Sequence, residues 1–179
     1  MALKATIYKV RLHIADLSRH YYQQHSLTVA LHPSETTTRL TARLIAFACN
    51  ASETLDFTRG LSTSDEPDIW QKEPDGSIAL WIELGQPDVR RLRQASGKAR
   101  QVLVYCYDNQ RAQQWLQSLN AERQRLPNVR AVQLPTDELE ALAAHLQRGS
   151  EWHLTLEENT VNIAGEDFAT ELQLQPLLN

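Results

Sequence analysis

One apolar run limits what this chain can become. Ser77 to Gly85, reading SIALWIELG, is the most apolar stretch of the sequence and predicts a central, buried β-strand. The run contains Glu83. A carboxylate placed there is at least partly buried and needs compensation, because an unpaired buried charge costs several kcal/mol. Pro87 then suits the first turn of a helix running to about Ser96, with Gly97 closing it. Arg100 to Tyr107 (RQVLVYCY) reads as a second buried strand, parallel to the first if the helix is a crossover.

The other elements follow from periodicity. Tyr8, Val10, Leu12 and Ile14 alternate with Lys9, Arg11 and His13, a half-buried strand. After a turn at Asp16 to Arg19, the residues Leu27, Val29 and Leu31 alternate on a returning strand, so the chain opens on a β-hairpin. Ser34 reads as the N-cap of a helix with Glu35 in its first turn and Leu40, Leu44 and Phe47 on one face. Weak and short strands follow at Phe57 to Leu61 and at Asp68 to Lys72, with a hairpin turn at Pro74-Asp75-Gly76. Asp108 or Asn109 caps a helix carrying Ala112, Trp115, Leu116 and Leu119, and Val129 to Leu134 is a strand. Thr136 caps the last helix, and Trp152 to Ile163 closes the chain with a hairpin around Glu158-Asn159.

At 179 residues the length favours a single domain, divided into an N-terminal hairpin (1–32), a core (33–107) and C-terminal helices with a hairpin (108–179). The core order is helix, three strands, helix, strand. That order predicts an α/β fold in which a mixed β-sheet is flanked by helices.

The net charge of −4 is unevenly spread. Residues 1–134 hold 17 basic and 13 acidic residues, whereas 135–179 hold one basic and nine acidic. The net charge argues against a generic nucleic-acid coat, while the split permits a phosphate-binding face on the body. No apolar run is long enough for a membrane span and the N-terminus has no signal-peptide stretch, so a cytoplasmic protein with no membrane partner is expected. Cys49 and Cys106 lack metal-ligand spacing and read as small core residues. The six histidines show no metal spacing either, and His13 and His25 read as cross-strand neighbours. Trp70 and Trp81 read as core residues rather than base-stacking platforms.

A metal-dependent phosphodiesterase needs two or three oxygen ligands converging on one point. Acids at matched heights on neighbouring strands supply them. Pro67-Asp68 opens one strand here, and Glu83 lies within the next. The core order with this Pro-Asp and this Glu resembles the PD-(D/E)XK nuclease-like superfamily, the restriction-endonuclease-like fold. More closely, the chain resembles the YaeQ family of bacterial proteins over nearly its full length. The segments that carry this likeness are Thr6 to Lys9, His32-Pro33-Ser34-Glu35, Pro67 to Trp70, Leu80 to Pro87 (LWIELGQP), Gly97-Lys98-Ala99 and Val104-Tyr105. The superfamily resemblance implies a nuclease-type site with Asp68 and Glu83 as ligands of Mg²⁺ or Mn²⁺ and Glu35 as a third acid from the helix.

One position departs from the pattern. The motif lysine falls two residues after the acid, where this chain has Gly85. Gln86 follows, and its amide can orient a water without supplying charge. Lys98 and Arg90 are the candidate replacements: Lys98 suits the resemblance, Arg90 suits the expected geometry, and the choice stays open. Arg90, Arg91, Arg93, Lys98 and Arg100 read equally as a phosphate-gripping stripe or a solvated face. Two functions are therefore expected. The first is a Mg²⁺-dependent nuclease or phosphodiesterase acting on nucleic acid, with Asp68, Glu83, Gln86 and Lys98 at its centre. The alternative is a catalytically degenerate nuclease fold that binds nucleic acid or a protein partner as a regulatory module.

Overall fold

The structure, a computed structural model, describes residues 3–59 and 64–179. The described chain forms a mixed α/β fold with two mixed sheets and four helices. It divides into two compact units: Met1–Cys49 with Pro135–Leu174, and Asn50–Leu134 with Gln175–Asn179.

The first unit is built on the N-terminal hairpin. Strands β1 (Thr6–Asp16) and β2 (Tyr21–Leu31) pair antiparallel. The alternation does what it predicts: Tyr8, Val10, Leu12 and Ile14 are buried, and Lys9 and Arg11 are exposed. The closing hairpin, β8 (Glu151–Glu157) and β9 (Thr160–Ala164), is also present, and Glu158 turns it with φ of 52°. What the sequence does not announce is that β8 lies beside β1 in parallel, with Leu12 opposite Trp152. With β10 (Ala169–Gln173) the order is β10-β9-β8-β1-β2, a five-stranded sheet. The single sheet expected from the sequence is thus two sheets, because residues about 140 apart pair across β1 and β8 and no local pattern encodes that.

Helix α1 (Thr37–Asn50) buries Leu40, Leu44 and Phe47. It begins later than expected. Thr36 Oγ1 accepts the Arg39 N–H at 3.1 Å, the cap geometry assigned above to Ser34, while Ser34 bonds the His32 ring instead. Glu35 therefore precedes the helix. His25 pairs with Leu12 in the hairpin register, so it faces away from His13; it meets Phe47 edge-on at 5.2 Å and burial lowers its pKa. Helix α4 (Thr136–Ala143) starts after Pro135, with Thr136 as its first residue rather than its cap.

The second unit holds a six-stranded sheet. Strands β3 (Leu55–Phe57), β4 (Ile69–Lys72) and β5 (Ile78–Leu84) are antiparallel neighbours. Strands β6 (Ala99–Cys106) and β7 (Val129–Gln133) extend the sheet in parallel, and β11 (Gln175–Leu178) closes its edge. The expected strand from Phe57 to Leu61 covers only Phe57 of β3, and its last two residues, Gly60 and Leu61, lie outside the described ones. Gly76, at φ of 86°, turns the β4–β5 hairpin, and Asp75 accepts from Ser77. The central run is buried where it matters: Trp81 is 1% exposed and Ile82 fully covered.

The crossover is as expected. Helix α2 (Val89–Lys98) joins β5 to the parallel β6, with Asp88 as N-cap accepting from Arg91 N. Gly97 lies inside the last turn rather than closing it. Helix α3 (Asn109–Leu119) is capped by Asp108. Trp81, Leu92, Ala95, Val104, Ala112 and Trp115 share one buried cluster, so both helices cover the Trp81 face of the sheet. Among the described residues, no helix is long and apolar enough to cross a membrane.

Candidate acidic site at the end of β4 and β5

The site grows from the entry into β4. Pro67 has no N–H to give a ladder, which suits a strand's first position. Thr58 straps this entry, donating from its hydroxyl to Pro67 O and from its N–H to Asp68 O. Asp68 then reaches across to β5. Its N–H donates to Ile82 O at 3.1 Å, and its Oδ2 accepts the Leu84 N–H at 2.9 Å. These two bonds bracket Glu83. The two acids are each 5% exposed, and they stand at the same end of adjacent strands.

Glu83 shares a face of β5 with Trp81, two residues back. The indole Nε1 donates to Glu83 Oε1 at 2.7 Å, and Arg91 Nε donates to the same oxygen at 2.8 Å. Oε2 takes no hydrogen bond among the described residues. Burial raises the Glu83 pKa; the Trp81 and Arg91 bonds oppose that rise, and the charge of Asp68 adds to it. The carboxyl is thus held above its ordinary range by its surroundings, one of which is a second acid.

Arg91 brings a cation to Glu83. As the third residue of α2 it is presented towards the end of β5, and its side chain is 27% exposed. Its other nitrogens are also engaged: Nη1 donates to Ser64 O at 2.6 Å and Nη2 to Glu66 O at 2.7 Å. One guanidinium therefore ties Glu83 to the loop leading into β4.

The chain turns sharply after Glu83. Gly85 has φ of 94°, a left-handed conformation in which any side chain is strained. The position at which the nuclease-like resemblance expects lysine thus has a backbone shape that disfavours any side chain. Gly85 O accepts from Cys106 Sγ at 3.3 Å, and Trp115 Nε1 donates to Pro87 O at 2.6 Å. Burial pushes the Cys106 thiol up to about 12, so it is no nucleophile near neutral pH. Gln86 Nε2 is buried with no hydrogen-bond acceptor among the described residues.

A family model described as "YaeQ protein" matches residues 1–174. The chain belongs to the YaeQ family. It is 37% identical over 174 residues to "Uncharacterized protein YaeQ" of Escherichia coli (strain K12), which covers 97% of this chain and 96% of that protein. The Salmonella typhi protein of the same name is 38% identical over the same length. Two crystal structures of YaeQ proteins superpose at a TM-score of 0.92. The one from Xanthomonas axonopodis pv. citri is 39% identical, covering 96% of this chain and 97% of its own. The one from Pseudomonas syringae is 38% identical, covering 98% and 97%.

Within this YaeQ chain the predicted site residues divide. Asp68 and Glu83 come together. Lys98 ends α2 with its Nζ 6.0 Å from the Trp81 ring centroid, at the outer limit of a cation–π contact, and Arg90 is exposed. Glu35 belongs to the first unit and is engaged there: Arg39 Nη1 donates to Oε1 at 3.0 Å, and Arg43 Nη2 donates to Oε2 at 3.0 Å. The basic stripe disperses, since Arg93 pairs with Glu122 at 2.6 Å and Arg100 lies 3.9 Å from Glu73. Sequence reasoning put Arg91 in the stripe and missed it as the partner of Glu83. The signal was Asp88, whose cap fixes the helix start and so makes Arg91 a first-turn residue aimed back at β5.

Proposed function

We propose that Asp68 and Glu83 form the acidic half of a PD-(D/E)XK-type site, and that the protein is a Mg²⁺-dependent nuclease or phosphodiesterase acting on nucleic acid. The observation that carries this reading is the bracketing of Glu83 by the two hydrogen bonds of Asp68, which sets two buried carboxylates side by side. Like charges oppose each other's ionisation, and a divalent cation shared by the pair would relieve that opposition. The donor set fits a hard ion: both groups are carboxylates, and Glu83 Oε2 is not consumed by hydrogen bonding among the described residues. A Mg²⁺ held by Asp68 and Glu83 would neutralise charge on a phosphodiester and favour attack by water. Trp81 and Arg91 hold the Glu83 carboxylate in one orientation. Gln86, with its buried and unbonded Nε2, is the group that orients a water or a phosphoryl oxygen.

A second reading has its own support. Gly85 stands at the lysine position in a backbone shape that disfavours a side chain, and Arg91 spends its guanidinium on Glu83 and two loop carbonyls, so neither offers a cation to the phosphate. That favours a catalytically degenerate fold that binds nucleic acid or protein. Thermal melts of wild type and Glu83→Ala, with and without Mg²⁺, separate the two. The enzyme reading expects a Mg²⁺-induced rise in Tm that disappears in Glu83→Ala, together with Mg²⁺-dependent cleavage of a nucleic-acid substrate by wild type. No Mg²⁺ effect on either protein would reject catalysis at this site and leave the binding module.

A further inference from the structure

The parallel pairing of β1 with β8 has a chemical result outside the acidic site. In its register Arg11 stands opposite Glu151 and His13 opposite His153. Side chains two apart on a strand share a face, so these four form a square on the outer face of the first unit's sheet. The contacts follow the square. Arg11 Nη1 donates to Glu151 Oε2 at 3.3 Å, and His13 Nε2 bonds Glu151 Oε1 at 2.7 Å. The imidazoles of His13 and His153 stack with centroids 4.3 Å apart and planes within 8°.

We propose that His13, Glu151 and His153 bind a late first-row divalent transition metal, Zn²⁺ by preference, as a two-histidine, one-carboxylate site with open coordination positions. One ligand atom from each of the three lies within 4.8 Å of the other two. An ion about 2.0–2.2 Å from each needs ligand atoms roughly 3–3.6 Å apart, so the two imidazoles must rotate out of their parallel stack until their nitrogens converge. Both histidines and Glu151 are solvent-accessible, and their Cα atoms are fixed by the sheet, so only side-chain rotation is needed.

Three observations favour a metal over a plain surface ion pair. A His13–Glu151 pair accounts for two of the residues but not for His153, whose ring the sheet register holds against that of His13 at 4.3 Å. Arg11 anchors the far oxygen of Glu151, which leaves Oε1 directed at His13 as an outer partner directs a metal ligand. Glu151 and His153 also line a cavity of about 680 Å³ together with His145, Glu166 and Asp167. The open positions of the ion therefore have solvent space to face. Imidazole and carboxylate together select borderline ions such as Zn²⁺ over Mg²⁺. The strand positions lie 138 and 140 residues apart in sequence, which is why no ligand spacing shows in the chain.

Isothermal titration of the full chain with ZnCl₂ at pH 7.5 tests this site independently of the Asp68–Glu83 reading, which is probed with Mg²⁺. One saturable Zn²⁺ per chain is expected, undisturbed by millimolar Mg²⁺. His13→Asn and His153→Asn should each weaken it by at least about tenfold. His20→Asn, a substitution suited to the left-handed φ of 53° at that residue, should leave it unchanged. Ring ¹⁵N shifts of unmutated protein provide a check that no variant's folding can spoil: Zn²⁺ should move the His13 and His153 signals first. Absence of saturable binding, wild-type affinity in both ligand variants, or first movement of other histidines would overturn the proposal.

Discussion

Two buried glutamates, one in each unit, differ in how fully their surroundings compensate the charge of a carboxylate. Glu35 precedes α1 with its side chain 2% exposed, and two arginines close on it from one helix face. His32 N adds a third donor at 3.3 Å. Glu83 is as deeply buried, yet has one arginine and an indole, both on the same oxygen, and a second acid across the strand gap. Glu35 is surrounded by positive charge in a pattern of i, i+4 and i+8 along α1, and Arg43 also donates to Ala30 O, so the cluster pins the helix start to β2. Glu83 sits in a setting that penalises its charge. The first arrangement sets two guanidinium groups against one carboxylate; the second sets one guanidinium beside two acids.

Removing each carboxylate separates them. Glu35→Ala strands Arg39 and Arg43, and the Arg43 side chain is 5% exposed, so a loss of about 3–5 kcal/mol is expected. The measurement is the shift in denaturant midpoint, and the variant's remaining response to Mg²⁺ should match wild type. A Mg²⁺ response that vanishes in Glu35→Ala would instead make Glu35 a ligand and erase the contrast. Glu83→Ala should cost less, about 2–3 kcal/mol, because Arg91 is partly solvated and keeps both loop carbonyls, and relief of repulsion from Asp68 offsets part of the loss. If Glu83→Ala proves the more damaging change, then Glu83 is the structural anchor and the comparison is inverted.

How much of this was legible in the sequence depends on the range of each interaction. The β1–β2 alternation, the SIALWIELG strand, the crossover helix and the parallel β6 are all encoded within windows of some ten to thirty residues, and each is present. Helix ends were less readable where two capping residues compete. Ser34 and Thr36 both offer a hydroxyl, and the His32 ring captures that of Ser34. The division into two sheets was illegible because β1 and β8 pair across about 140 residues, beyond the reach of any local pattern. The same range limit applies to the sites. Asp68 and Glu83 are fifteen residues apart across one hairpin and could be matched by height. Arg91 needed the cap at Asp88 to be read as a geometric statement, and the His13–Glu151–His153 cluster had no local trace at all.

The smallest expected effect is the most discriminating, because it reads the surroundings of single carboxylates. Glu83 should titrate above its ordinary value of 4.5, since burial and then Asp68 outweigh the Trp81 and Arg91 bonds. Glu151 should titrate below 4.5, chiefly because of its bond to His13 and then the charge of Arg11. The linked stabilities run in opposite directions. For Glu83 the folded state holds its proton more tightly than the unfolded chain, so its contribution is greatest below 4.5 and declines as pH rises through the raised folded value. For Glu151 the contribution is present above 4.5 and is lost as pH falls through the lowered folded value. Carboxyl ¹³C NMR titration of the unmutated protein measures both midpoints, and the difference in stability between wild type and Glu83→Gln across that window should fall with rising pH. Adding Mg²⁺ should then lower the Glu83 midpoint, because a nearby cation favours the ionised form, and leave Glu151 in place. A Glu83 midpoint at or below 4.5 without metal would mean that Arg91 and Trp81 already satisfy its charge, as the arginines do for Glu35, and the contrast between the two buried glutamates would fail.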